Sequence, residues 1–173
     1  MQLTSSTELK RRNFLATIGG LGALAVFGRT GTARAAEPRK GRLKQAACGG
    51  VFHGLKLDLE GMCREASRLG LYGIDLVGPK AFPMLKQYGL MPTMVPGGGG
   101  IQNGINDKKN HAEIDRRMRE AIEACAQFGA PNVITLAGDR KGISDEQGLE
   151  NCVLFLNQIK AFAEDKQVTI CME

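Results

Sequence analysis

From residue 44 onward, short apolar runs alternate with longer segments in which apolar residues recur every three or four positions. The short runs read as buried strands and the longer segments as amphipathic helices. Residues 44–52 form the first strand, with Ala46, Ala47, Cys48 and Val51 apolar. Helix one follows Asp58 as its N-cap, carries Leu59, Met62, Cys63, Ala66 and Leu69 on one face, and stops at Gly70. Strand two spans 72–77 and is closed by Gly78-Pro79. A short helix over 81–88 leads to strand three at 90–95. A Gly-rich loop then covers 96–110. Helix three runs from about 111 to 128, with Ile114, Met118, Ala121, Ile122 and Cys125 facing the core. Asn110, with Glu113 three residues on, is its candidate capping box. Strand four is 132–137. Ser144 and Gln147 form a second capping box, opening helix four, whose apolar set is Leu149, Cys152, Val153, Leu156, Ile159 and Phe162. The run Val168-Thr169-Ile170-Cys171-Met172-Glu173 is strand five.

Five strands separated by four helices argue for a parallel α/β sheet with right-handed crossovers. A doubly wound sheet can be complete with five strands. An eight-stranded (β/α) barrel needs ~250 residues, more than the 173 present. No helix follows strand five to cover it, which favours a TIM barrel truncated after strand five, about four βα units plus one strand.

Charge separates the first 35 residues from the rest. Lys10-Arg11-Arg12-Asn13-Phe14-Leu15 precedes a weakly apolar stretch rich in Gly and Ala, then Ala33-Arg34-Ala35. That order is a charged region, a short apolar region and a small-residue cleavage site. The paired arginines before Phe-Leu resemble a twin-arginine export signal. The reading is therefore a signal peptide at 1–35, a solvated linker at 36–43 and the barrel part at 44–173. It implies the twin-arginine export machinery as a partner, a periplasmic or extracytoplasmic location, and no stable membrane span after processing. The apolar stretch is shorter than the ~20 residues of a span. Segment 1–35 carries five basic residues against Glu8, a net of +4 of the chain's +5. The remainder is near neutral, which argues against nucleic acid as a partner.

Cys48, Cys63, Cys125, Cys152 and Cys171 each fall in an apolar pattern, and none makes a C-x-x-C pair. They read as buried reduced thiols. The Gly97–Gly100 run lacks both the P-loop and the dinucleotide fingerprint, so it reads as a mobile active-site loop. His53 follows strand one. His111 opens helix three at the end of a barrel where sites are built. For each, a solvent-exposed role and a substrate contact both fit. Asp75 lies inside strand two and needs a partner there. Asp139 and Arg140 follow strand four; a local ion pair and recognition of a substrate anion by Arg140 both fit. Glu173 is an acid at the C-terminal end of a buried strand, where α/β barrels place metal ligands and catalytic bases. One carboxylate cannot fill a divalent site, and spacing alone leaves Glu173 open between site and accident.

Several stretches together carry a resemblance. They are Gly73-Ile74-Asp75-Leu76-Val77-Gly78-Pro79, Met94-Val95-Pro96-Gly97, Asn103-Gly104-Ile105-Asn106 with Asn110-His111, Ala130-Pro131-Asn132-Val133-Ile134, the run 142–152, and Cys171-Met172-Glu173. They resemble the hydroxypyruvate isomerase family of xylose-isomerase-like TIM barrels over residues 44–173. The resemblance implies an aldose–ketose isomerase converting hydroxypyruvate to tartronate semialdehyde. Glu173 would be one of two carboxylates moving the proton next to the carbonyl. It would also be a ligand of a divalent metal (Mg, Mn or similar) that polarises the carbonyl and stabilises the enediolate. The other ligands would lie on strands six to eight, so the 173-residue chain is expected to be inactive alone. The small-molecule hydroxy-carbonyl substrate would meet His111, Phe52 and Arg140. The family tends to place aromatics at the end of strand one; here Cys48 is followed by Gly49-Gly50-Val51-Phe52. A sugar epimerase or dehydratase on the same barrel, and a non-catalytic exported sugar-binding protein, are the alternative readings.

Overall fold

The computed structural model describes residues 43–173. The expected export signal lies outside the described residues, as does the linker up to residue 42. Among the described residues no helix is long and apolar enough to cross a membrane.

The elements alternate as the sequence pattern requires: β1 (Ala46–Cys48), α1 (Leu59–Arg68), β2 (Gly73–Asp75), α2 (Phe82–Gln87), β3 (Met91–Pro92), β4 (Val95–Pro96), α3 (His111–Phe128), β5 (Asn132–Thr135), α4 (Asp145–Asp165) and β6 (Thr169–Met172). Every strand pair is parallel. The strands pair as two three-stranded sheets, β1-β2-β3 and β4-β5-β6. This is part of a TIM barrel, with the four helices supplying its outer layer.

The expected third strand is β3 and β4 together, and it is the seam between the two sheets. Met91 and Thr93 donate their N–H groups to Tyr72 and Ile74 on the β2 side. Gly97 donates to Ile134 on the β5 side. Thr93 faces both ways, because its carbonyl accepts from the Asn132 side-chain amide at 2.9 Å. In a parallel ladder alternate residues face the same neighbour, so Pro92 turns its ring nitrogen away from β2 and Pro96 turns its own away from β5. Each proline sits where a missing N–H breaks no rung.

Register and burial separate two faces. Ile74 and Val133 are fully buried among side chains of the helix layer. Their alternation partners Asp75, Asn132 and Ile134 face the other way, toward the barrel interior, and are half-buried. The helix-side core has two parts. Phe52, Cys63, Ala66, Ile74, Ala81, Leu85 and Leu90 form the smaller. The larger is built around Val95, Met118, Ile122, Val133, Phe155 and Ile159, with Phe82 reaching into it.

Local signals explain the helices. Asp58 caps α1 by accepting from the Gly61 N–H at 2.7 Å. The Ser144 hydroxyl accepts from the Gln147 N–H at 3.2 Å and caps α4. The Gln147 side chain turns to Asn151 and Glu150 instead of closing the box. α3 begins and ends where its periodicity predicts, and all five expected core residues are buried.

Three expectations need correction. Strand one is three residues long, because Gly49–Leu55 coils into 3-10 turns directly after Cys48. Asn110 is already helical and makes no cap bond. Asp107 caps a preceding 3-10 turn, Lys108–Asn110, by accepting from the Lys109 N–H. On α4, Leu149 and Val153 are exposed, while Asn151, Cys152, Phe155, Ile159 and Ala163 form the buried face. The helix carries two apolar stripes, and its neighbours among the described residues cover one.

Candidate active site

The C-terminal ends of β1, β2, β5 and β6 point to one end of the sheet, where Cys48, Asp75, Leu136 and Glu173 lie. Glu173 is held by its backbone: its N–H donates to the Thr135 carbonyl at 3.1 Å, and its carbonyl accepts from the Ala137 N–H at 2.8 Å. These bonds continue the β5–β6 register, which pairs Ile134 with Cys171 and Thr135 with Met172. Alternation therefore puts Glu173 on the interior face with Cys171. The strand itself is less buried than expected, with Thr169 and Met172 exposed and Ile170 and Cys171 half-buried.

Asp75 has the partner its position demands. Its carboxylate accepts from the Thr93 hydroxyl across the β2–β3 pairing. The acid is held at the strand end beside Cys48, its register partner on β1. This pair had no signal in the sequence beyond the oddity of an acid inside a strand.

The other candidates fall in different places. His111 is buried, and neither the solvent-exposed role nor an open contact describes it. Its Nε2–H donates to the Ile105 carbonyl at 2.8 Å, and its ring meets Phe155 edge-on at 5.1 Å. It ties the Gly-rich loop to α3 and α4. Phe52 lies on the 3-10 segment, 5% exposed, and is packed in the smaller core. Arg140 is exposed and pairs with Asp145 in the first turn of α4 at 2.7 Å; Asp139 is not its partner. His53 is exposed on the 3-10 segment.

The Gly-rich loop is not a free lid. Gly97, Gly98, Gly104, Ile105 and Asn106 are buried, and Ile105 is fully so. Gly104 passes so close to β5 that an added Cβ would sit 2.0 Å from the Ala137 carbonyl oxygen. Apolar packing of Ile105 and backbone bonds to residues beyond β5 override the mobility that composition suggests. The turn at Gly100–Asn103 is closed by reciprocal backbone bonds, and Ile101, Gln102 and Asn103 in it are exposed, as are Lys108 and Lys109 further on.

Two cavities flank this end and its opposite. One of about 400 Å³ lies between the Gly-rich loop and the first turns of α3, lined by Gly99, Asn103, Lys109, Glu113 and Arg117 among others. Its charges are largely answered locally. Lys109 pairs with Asp107 at 2.7 Å and Arg116 with Glu113 at 2.7 Å, and these partners hold both carboxyls below the usual range. The other, about 540 Å³, lies between α4 and the start of β6, away from Glu173.

Burial shapes the thiols. All five cysteines are free, with Cys63, Cys125 and Cys152 buried and Cys48 and Cys171 half-buried. Desolvation pushes Cys63 and Cys125 up to about 11, with the nearby Glu60 adding to the rise at Cys63. It raises Cys152 as well. None of these three is set up as a nucleophile.

The donor set for a metal is incomplete among the described residues. Among the described residues no three His, Cys, Asp or Glu side chains converge on one point. Glu173 supplies a carboxylate of the right kind, and no catalytic step through a metal follows from these residues alone.

Comparison with solved structures agrees with the architecture. The chain is similar to 3-keto-D-glucoside 4-epimerase from E. coli, with 13% identity and a TM-score of 0.59 over 76% of this chain and 56% of that one. It is similar to D-psicose 3-epimerase from Clostridium cellulolyticum, with 12% identity and a TM-score of 0.60 over 75% and 52%. It is also similar to mannonate dehydratase from Streptococcus suis, with 14% identity and a TM-score of 0.55 over 76% and 53%. The chain thus spans about half the length of these structures. No curated protein matches it in sequence. The model of the xylose isomerase-like TIM barrel family matches residues 63–173. With parallel β2–β6, α1–α4 and the strand-end acids inside or bordering that span, the chain belongs to the xylose isomerase-like TIM barrel family.

Proposed function

We propose that this chain contributes the N-terminal part of a sugar or hydroxy-acid isomerase site, of the hydroxypyruvate to tartronate semialdehyde type. The observation that carries the reading is Glu173: an acid that the β5–β6 register places on the interior face at a strand end, with its backbone bonded to Thr135 and Ala137. A carboxylate so placed can take the proton from the carbon next to a carbonyl and return it to the neighbouring carbon. Arg140, on the loop after β5, would meet the substrate's carboxylate or hydroxyls once released from Asp145. In this reading Glu173 also serves as one ligand of a divalent ion whose remaining ligands lie outside the described residues. The whole activity then needs those residues, and the protein works after twin-arginine export.

The test is Glu173→Gln in a chain extended to the length of a complete barrel. Loss of hydroxypyruvate isomerisation with the fold retained supports the reading; unchanged turnover removes Glu173 from the mechanism. A 3- or 4-epimerase or a dehydratase would use the same carboxylate on a larger sugar. Turnover of ketohexoses or sugar acids in place of hydroxypyruvate would select that alternative. Saturable sugar binding without turnover of any of these would select a binding protein.

A further inference from the structure

Two loops at the site end meet at one buried asparagine, and a second, on α4, holds the first in place. Asn106, in the Gly-rich loop, is 8% exposed, and Asn151, in the second turn of α4, is 5% exposed. The Asn106 side-chain amide donates to the carbonyls of Gly138 at 3.3 Å and Asp139 at 2.8 Å, on the loop after β5. Its backbone carbonyl accepts from the Asn151 side-chain amide at 2.7 Å. The Asn151 side-chain oxygen accepts in turn from Gln147 at 3.1 Å.

Backbone contacts run the same way. Ile105 and Asn106 donate to Leu136 and Ala137 at 3.1 and 2.9 Å, and Asp139 donates to Ile101. The Lys141 ammonium donates to the Gln102 carbonyl. Gly104 and Gly138 are in backbone contact so close that a Cβ on either would collide with the other strand. Parting the loops would take both carbonyl partners from the Asn106 amide, while its own carbonyl stays tied to Asn151 on α4.

We infer that the Gly-rich loop and the loop carrying Arg140 form one mechanical unit, with the Asn106–Asn151 pair as its hub. The two loops open together or not at all. Arg140 is thereby positioned from the far side of the Gly-rich loop, and Asn106 and Asn151 are positioning residues with no contact to substrate.

Residue-resolved amide hydrogen exchange on the full 173-residue chain tests this. The reporters are the Ile105 N–H in the first loop and the Ile143 N–H, which bonds to Arg140 within the second. Asn151→Leu should speed exchange at both by about tenfold or more, with α1 and α2 unchanged. Acceleration at only one reporter, or at neither, overturns the inference. Should that variant not fold, the wild-type chain in rising sub-denaturing urea gives the opening free energy at each reporter. Equal values support a single unit and unequal values overturn it.

Discussion

The Thr93 hydroxyl donates to the Asp75 carboxylate at the seam where β3 gives way to β4. One residue thus answers a strand acid with its side chain while its backbone bonds to both sheets. Thr93→Val keeps the shape and removes the donor, leaving Asp75 half-buried without it. The expected loss is ~1–3 kcal/mol of stability, read from urea unfolding. A loss below about 0.5 kcal/mol, the scale of a neutral surface change, would show that Asp75 is hydrated from the open face.

Gly73 is the tightest approach within the first sheet. A Cβ there would lie 2.0 Å from the Met91 carbonyl oxygen and 2.8 Å from the Thr93 methyl. Gly73→Ala must push β2 from β3 and should cost upward of ~2 kcal/mol. Gly54→Ala, with nothing within 4 Å, is the control and should be near neutral. Equal thermal midpoints for the two variants would refute the close packing.

His111→Ala tests the buried histidine as a structural tie. It removes the bond to Ile105 and the edge contact to Phe155, and the expected cost is ~2–4 kcal/mol. His111→Phe should retain the ring packing and lose only the bond. A ligand-binding role would instead leave stability unchanged in both variants, which calorimetry would reveal.

The thiols predict a stability profile at alkaline pH. Cys63 and Cys125 ionise near 11 in the folded chain against an ordinary value of 9.0. Below about pH 9 both states keep these protons and their contribution is fully present. Between about 9 and 11 the unfolded chain releases protons that the folded chain holds, so stability falls as pH rises. Urea midpoints across that window should fall less steeply in a Cys63→Ala, Cys125→Ala double variant. Identical slopes would sink the assignment. In the native chain a thiol reagent should label Cys48 and Cys171 fast, and the other three only on unfolding.

How far the residues reveal the fold differs from element to element. α3 is legible to its ends, because Ile114, Met118, Ala121, Ile122 and Cys125 recur on one face and Gly129 follows. α4 is legible as a helix but not in its orientation. It carries two apolar stripes, and the choice between Phe155 and Val153 is made by α3, which periodicity cannot see. The Gly-rich loop reads as mobile from composition, yet Ile105 inside it is a core residue. The loop holds two isoleucines, Ile101 and Ile105, and composition cannot say that the second packs while the first stays exposed. The parallel α/β reading rests on strand alternation and holds, whereas substrate contacts at His111 and Phe52 have no pattern of their own behind them. Their burial follows from packing partners distant in sequence, Phe155 for one and the smaller core for the other.

The seam at Thr93 divides the chain in sequence as well as in space. Strands up to Pro92 pair among themselves, and strands from Val95 onward do the same. Each half encloses its own apolar cluster, and Phe82 is the main side chain crossing between them. Every pairing within a half is parallel and bridges a helix crossover, so its contacts join residues distant in sequence, which slows folding. The half before the seam, with the smaller cluster and the shorter helices, is the natural first region to open below the global unfolding threshold. Phe82 and the strand residues 91–96 then decide how far such an opening spreads into the rest of the compact unit.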